Sequence, residues 1–515
     1  MTVRAVDLFC GAGGLSTGLA LACEQLNRDV ELAAVNHWRT AVETHKQNHP
    51  WADHYCTGIG DVKPIEVFPE SDIDLLIAAP ECTDYSKARG GKPITPQDRM
   101  APFAIFDWIA QLRPRRVLVE NVNGFQNFGP IVDGEPTRNG QFFQAWLRTL
   151  GAKDAGLGYH VDKRTLTAAN FGDPTTRERL FIVAGRDETP VWPSPTHSDD
   201  PTDGLEDWRP AAGVIDWSDR GQSIWTRGLR GNGKKPLVKT TMGRIAEGIE
   251  RYGPDEFAPL AAAISDLGRK EVRTLQEDSI PIQAAPDAVR KRSDPFLVRA
   301  PVPEDRDLDR DYDDIVGLCP PVVKGQHGGS VPRDAGGAPV QTVTCDGNLQ
   351  VYEYEAFVLP RLQLMRGDDS TPAYHPAERP FHTVTAKNHD GHLVTPYLTV
   401  YNGQSSVADI DDPLPTVTGS DRFGLVVPEL YPWGLDVRYR MLQPRELARA
   451  QGFADDYEFA GDTKDEITEQ IGNAVPVGLA TALCRELLED GRPQLTDFAS
   501  EDGDQTVAAD GGESV

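Results

Sequence analysis

Cys82 and Glu120 each stand just past a short apolar run. Cys82 closes Asp72-Ile73-Asp74-Leu75-Leu76-Ile77-Ala78-Ala79-Pro80-Glu81-Cys82, and Glu120 closes Arg116-Val117-Leu118-Val119. A thiol nucleophile beside a carboxylic acid suits attack on an unactivated ring, with the acid assisting at a ring nitrogen. A single cysteine in this position also fits a capped, buried thiol, so the remaining motifs have to decide. Further on, Asp173-Pro174-Thr175-Thr176-Arg177-Glu178-Arg179 places two arginines before another apolar run. Strand alternation puts Arg177 and Arg179 on one face. On their own they also read as a surface pair bridged to nearby acids.

These side chains need a scaffold that brings strand ends together. Residues 74–79 read as a buried parallel strand, because a short apolar run without helical gaps suits the centre of a sheet. Pro80 cannot extend the ladder, so the chain leaves the sheet there. That puts Cys82 and Glu120 at the carboxyl edge, where open α/β sheets bind ligands. Further strands are expected at 3–9, 31–36, 159–167 and 180–185, alternating with amphipathic helices in a doubly wound pattern. The first strand runs into Asp7-Leu8-Phe9-Cys10-Gly11-Ala12-Gly13-Gly14-Leu15-Ser16, with a helix expected from about 15 to 26. A strand, a glycine turn and a helix N-terminus make a nucleotide-type site, because glycine lets the backbone approach a ligand. No GxxxxGK[ST] occurs, so a phosphate-cradling loop is not expected. The second strand ends in Val35-Asn36-His37-Trp38, and Trp38 either stacks on a purine or fills a core. Asp61 follows at the spacing of a third strand edge, placed to accept from an adenine amine.

A length of 515 residues allows two or three domains. Composition shifts at 187, and the Pro-, Asp- and Thr-rich stretches 187–210 and 295–313 read as surface linkers. Within 187–436 a weak repeat recurs: Pro339–Thr344, Pro380–Thr385 and Pro413–Thr418, with a degenerate copy at Lys239-Thr240-Thr241. Thr/Val alternation predicts short strands and a β-rich module, whether structural or ligand-binding. Helical spacing returns at 440–452 and 466–490, and the acidic tail from 494 to 515 is expected to be disordered.

The seven cysteines form no CxxC pair, which argues against a zinc site or disulfide framework. No run approaches ~18 apolar residues, so no membrane span is expected. The first strand starts too near Met1 to leave room for a signal peptide, and a reducing cytoplasm is the expected compartment. A net charge of −27 points away from nucleic acid unless the protein is halophilic, with repulsion from DNA screened by salt.

Taken in order, the motifs resemble those of the DNA (cytosine-5)-methyltransferases. That family carries a DLFxGxGG turn, a PCQ loop, ENV, QxRxR, RExxRxQGF and GNxV. Here the blocks stand as Asp7–Gly14, Pro80–Thr83, Glu120–Val122, Thr175–Arg179, Arg445–Phe453 and Gly472–Val475. Three departures stand out: Glu81 and Thr83 flank the cysteine, Thr175 replaces a glutamine, and Asn36-His37 replaces an acidic ribose ligand. Glu81 would raise the thiol pKa above ~8.5 unless a cation offsets it.

The resemblance implies an α/β fold, a Rossmann-like S-adenosylmethionine-dependent methyltransferase domain with a β-rich target-recognition insert. The catalytic domain would span 1–186 and 437–493, with recognition at 187–436. It further implies S-adenosylmethionine, and no metal, held by Phe9, Gly11, Gly13, Gly14, Leu15, Trp38 and Asp61, with Asn473 closing the pocket. Cys82 would add to C6 of a flipped cytosine, and Glu120 would hold N3 and the exocyclic amine. Arg179 would donate to O2, with Arg177 supporting the loop. The implied partner is double-stranded DNA, read at a specific sequence by a monomer, with or without a separate cognate restriction endonuclease. Two alternatives stay open: an RNA cytosine-5 methyltransferase, and a catalytically weak, sequence-specific DNA-binding regulator.

Overall fold

A computed structural model of the chain describes residues 1–80, 96–132, 135–201, 204–228, 234–253, 258–281, 296–299, 322–325, 333–334, 349–352, 356–358, 397–401, 407–431 and 434–489. Its centre is a seven-stranded sheet. In chain order the elements are β1 (Thr2–Leu8), α1 (Gly14–Gln25), β2 (Asp29–Val35), α2 (Arg39–Asn48), β3 (Asp53–Tyr55), β4 (Leu75–Ala78), α3 (Pro96–Leu112), β5 (Arg116–Asn121), α4 (Gln141–Gly151), β6 (His160–Thr167) and β7 (Glu178–Gly185). The sheet order is β3-β2-β1-β4-β5-β7-β6. The first five strands are parallel, while β7 runs antiparallel to both β5 and β6.

Both faces of this sheet are covered, and the strand sequences explain why. Leu76 and Ala78 join Val6, Val117 and Val119 under α3 and α4, against Ile105, Trp108 and Trp146. The alternate residues Leu75 and Ile77 join Ala5 and Leu118 on the other face, under Leu15, Leu19 and Leu483. A strand buried on both sides must be apolar at every position, which is why Leu75–Ala78 shows no alternation. The chain winds outward from β1 to β3 on one side and from β4 to β5 on the other. The switch point, and its crevice, therefore lies between β1 and β4.

The second unit holds an antiparallel sheet whose best-described strands are β8 (Tyr397–Val400), β9 (Val407–Asp409), β10 (Phe423–Tyr431) and β11 (Gly434–Met441). It carries helices as well as strands: α5 (Lys239–Tyr252), α6 (Ala258–Ser265) and α7 (Arg269–Glu277). Met242, Ile245 and Ile249 of α5 are buried with Tyr397 and Val426 of the sheet. The contact is close enough that a Cβ on Gly248 would lie 1.9 Å from the Tyr397 ring.

The expectation of strands at the repeats is corrected in two places. Lys239-Thr240-Thr241 opens a helix, because the apolar residues after it recur at three- and four-residue spacing. Pro413–Thr418 forms a single bridge, Leu414 to Thr175, rather than a strand. Two prolines within four residues remove the N–H groups a ladder requires. The copies at 339–344 and 380–385, the linker 295–313 apart from Phe296–Arg299, and the tail 494–515 lie outside the described residues. The antiparallel sheet runs on through Met441, beyond residue 436, before the chain enters α8 (Pro444–Ala450), α9 (Lys464–Asn473) and α10 (Val477–Leu488). α10 docks on α1, where a Cβ on Gly18 would meet the Ala480 Cβ at 2.4 Å.

Candidate active site

β1 stops at Leu8 because Phe9 takes a left-handed conformation, φ 62°, which no strand accommodates. The Phe9 N–H donates to the Val35 carbonyl at 2.9 Å, so the turn leans on the end of β2. Gly11 follows at φ 53° and Gly13 at φ 92°, both in the region that favours glycine. Gly14 is required for a different reason: a Cβ there would sit 2.3 Å from the Val475 carbonyl oxygen. The glycine turn and the start of α10 are thus in backbone contact.

A cleft of about 260 Å³ opens at the switch point. Phe9, Gly11, Gly14 and Leu15 line it from the turn, and Trp38 from the start of α2. Glu120, Arg177 and Arg179 line it from β5 and β7, and Asn473 from the end of α9. The Trp38 N–H donates to Asn36 Oδ1 at 2.8 Å, which fixes the bend carrying the indole. Two expected cofactor residues fall elsewhere. Asp61 is exposed on a turn, Ile59–Asp61, outside the lining; β3 ends at Tyr55, so Asp61 is no strand-edge residue. Gly13 lines the opposite side of the turn, where a Cβ would meet Tyr457 Oη at 2.7 Å. A larger groove of about 950 Å³ behind α10 is lined by Asp173, Arg209, Arg449 and Arg485 and touches none of the candidate site residues.

Glu120 is buried, and Arg179 Nε lies 3.2 Å from its Oε1. Burial pushes the Glu120 carboxyl above its usual range, and the Arg179 and Arg177 guanidinium groups pull back against that. An acid whose pKa burial raises, beside fixed cations, suits donation to a ring nitrogen. Arg177 is buried too, and donates through Nη1 to the carbonyls of Val417, at 2.8 Å, and Gly472, at 2.9 Å. Sequence reasoning gave Arg177 a supporting role in its own loop; its guanidinium in fact joins that loop to the Pro413–Thr418 segment and to the end of α9. Two backbone bonds beside it, Thr176 N–H to the Leu414 carbonyl and Leu414 N–H to the Pro174 carbonyl, strengthen the junction.

Cys82 lies outside the described residues, as do Glu81 and Thr83. The approach to it is described: Asn121 Nδ2 donates to the Pro80 carbonyl at 2.9 Å. The residue after Glu120 therefore anchors the stem of the segment that carries the thiol. Asn121 was missed as a site residue, although its place in the Glu-Asn-Val block was a sequence signal. No group of three or more His, Cys, Asp or Glu suited to a metal ion occurs among the described residues.

Fold and cleft together define a Rossmann-like methyltransferase domain joined to a second unit built on an antiparallel sheet. The profile for C-5 cytosine-specific DNA methylases matches residues 3–211 and 387–489, more than half of the chain. The chain belongs to that family, whose methyl donor is S-adenosylmethionine. The Type II methyltransferase M.AgeI of Thalassovita gelatinovora is 28% identical over 202 residues, 38% of this chain and 42% of the relative. M.BspRI of Lysinibacillus sphaericus, also a Type II methyltransferase, is 27% identical over 221 residues, 38% of this chain and 48% of its own length. The matches thus span less than half the length of either relative. A solved methyltransferase, EhMeth of Entamoeba histolytica, aligns over 95% of this chain and 98% of its own at 11% identity, with a TM-score of 0.40.

Proposed function

We propose that this chain methylates C5 of cytosine within specific duplex DNA sequences. The observation that carries this reading is the pair of buried Glu120 and half-buried Arg179, which lines one cleft with Phe9 and Trp38. The cleft suits the donor: it offers aromatic side chains for a purine, open backbone at Gly11 for close approach, and polar groups where the transfer must occur.

S-adenosylmethionine supplies an electrophilic methyl group on a sulfonium. Cytosine C5 is too poor a nucleophile to take it directly, so Cys82 thiolate adds to C6 and makes C5 electron-rich. Glu120 donates to N3 and accepts from the exocyclic amine, stabilising the electron pair pushed into the ring. Arg179 keeps Glu120 oriented and donates to O2. The transfer would release the donor as its neutral thioether; loss of the C5 proton to solvent and departure of the Cys82 thiolate then restore the aromatic ring. Thiol attack runs perpendicular to the base, so the cytosine must leave the helix stack. Phe9, Gly11, Gly14, Leu15, Trp38 and Asn473 form the donor side, while Arg177 braces the arginine loop against the recognition unit.

Residues 187–436 read the target sequence, and the relatives' Type II setting extends to this chain. We take it to be a monomeric cytoplasmic enzyme on double-stranded DNA, with or without a separately acting restriction endonuclease. The −27 charge favours a salt-rich cell interior. Incubation with S-adenosylmethionine and duplex DNA carrying 5-fluorocytosine tests the chemistry, since fluorine at C5 blocks release of the enzyme. A covalent protein–DNA complex is expected. Its absence with the parent chain, under conditions where the DNA is bound, would overturn the reading in favour of a binding protein.

A further inference from the structure

Beneath the glycine turn lies a buried chain of side chains for which the reaction has no use. Ser16 Oγ, in the first turn of α1, donates to Asp7 Oδ2 at 2.5 Å. His45 Nε2 lies 2.9 Å from Ser16 Oγ, and His45 Nδ1 lies 2.8 Å from His54 Nε2. Asp7, Ser16 and His45 are fully buried, and His54 is half-buried. Burial and the neighbouring histidines hold His45 well below the usual histidine range, so its ring is neutral. The Ser16 proton is committed to Asp7, so the Ser16 oxygen must accept, and His45 must carry its proton on Nε2. His45 Nδ1 then accepts from His54 Nε2–H. Each member of the chain has one consistent role.

The place of this chain explains why it matters. Asp7 is the penultimate residue of β1, Ser16 opens α1 and His45 lies on α2. Ser16 therefore ties together the three elements that carry the cleft-lining turn. That turn is strained: Phe9 is held at φ 62°, and Gly11 and Gly13 are also left-handed. A non-glycine residue in that region costs on the order of 1 kcal/mol or more and persists only where the surroundings hold it. The side of the turn facing away from the cleft rests on the same cluster, since a Cβ on Gly13 would lie 3.1 Å from His45 Cδ2 and 3.0 Å from His49 Cε1. At its middle, Tyr457 Oη donates to the Ala12 carbonyl.

We propose that His45 is a positioning residue for the donor cleft: through Ser16 and Asp7 it holds Phe9–Gly13 in the shape that binds the methyl donor. This rests on the functional reading above. His45 touches neither donor nor base, so its effect falls on donor affinity and not on the methyl-transfer step.

Calorimetric titration of S-adenosylmethionine, with single-turnover rates at saturating donor, tests this. His45→Leu and Ser16→Ala should each weaken donor binding by about tenfold, the scale of one buried hydrogen bond. The rate at saturation should stay within about twofold of the parent. His45→Gln places an amide N–H near the position of Nε2 and should restore affinity; His45→Asn, which mimics Nδ1, should not. A merely structural role would lower the melting temperature of the Gln and Asn variants alike and would not separate them in affinity. Ser16→Ala is a small change that keeps the question answerable where His45→Leu fails to fold. Parent-like affinity in Ser16→Ala, or equal rescue by Gln and Asn, would overturn the proposal alone. Failure of the parent chain to bind the donor would overturn the functional reading, and this proposal with it.

Discussion

Arg179 Nε sits 3.2 Å from Glu120 Oε1, and the two side chains come from neighbouring antiparallel strand ends. Of the two carboxylic acids lining the cleft, Glu120 and Glu469, it is Glu120 whose ionisation this pair governs. Burial raises the Glu120 pKa, and Arg179 is the larger of the two cations that lower it.

Replacing Arg179 with glutamine should therefore raise the Glu120 pKa further. The acid form assists at N3, so activity is lost as pH rises through that pKa. The alkaline limb of the single-turnover pH profile should move to higher pH in Arg179→Gln, with a lower plateau because the donor to O2 is gone. An unmoved limb would separate Glu120 from that ionisation. In Glu120→Gln, transfer should slow by more than ~10²-fold, the low end for loss of a general acid.

Cys82→Ala should abolish methyl transfer and leave S-adenosylmethionine affinity within about twofold, since the donor-side residues come from the turn after β1, from α1, from the start of α2 and from α9. Measurable C5 methylation by the purified variant would remove Cys82 as nucleophile.

Asp7 is wholly buried, its Oδ1 has no hydrogen-bond partner, and burial pushes its carboxyl up to about 7 from 3.8. The folded chain thus binds this proton more tightly than the unfolded chain. The resulting stability is complete below about pH 4 and is lost as pH rises through about 7. Asp7→Asn cannot ionise, so urea melts should show the variant gaining on the parent as pH rises from about 4 to about 7. The full shift corresponds to about 4 kcal/mol as an upper figure. A difference between variant and parent that does not change with pH would refute this.

Exchanging residues 187–436 for the corresponding region of a relative should change which sequence is modified while cytosine C5 remains the target. The graft must preserve the Arg177 contact to Val417, or the arginine loop loses its brace. Bisulfite sequencing of DNA from cells expressing the chimaera reads the outcome, and parental specificity in a folded chimaera would place recognition elsewhere.

A charge of −27 predicts greater stability and activity near molar potassium chloride than at ~0.1 M, where the Debye length is ~10 Å and acid–acid repulsion is less screened. Thermal melts and transfer assays across that range check it. Highest stability and activity at low salt would exclude a halophilic origin.

The amino-acid sequence by itself determined the main strands of the parallel sheet and the order of the site blocks, but not the helices of the second unit. The apolar runs at 75–79 and 117–119 read as doubly buried strands, and Phe9–Gly14 as a turn, because those signals are local and set by run length, proline and glycine. Asp61 shows the limit of such reasoning: counting along the chain suggested a strand edge, but β3 is three residues long and ends at Tyr55. Only the tertiary structure decided what each polar group faces. Arg177 finds its acceptor 240 residues away at Val417, and Tyr457 reaches Ala12 across 445 residues. His45 becomes part of the glycine turn's support only once α2 packs beside α1. Such pairings leave no periodic trace, because one hydrogen bond constrains two side chains and not the pattern of either segment.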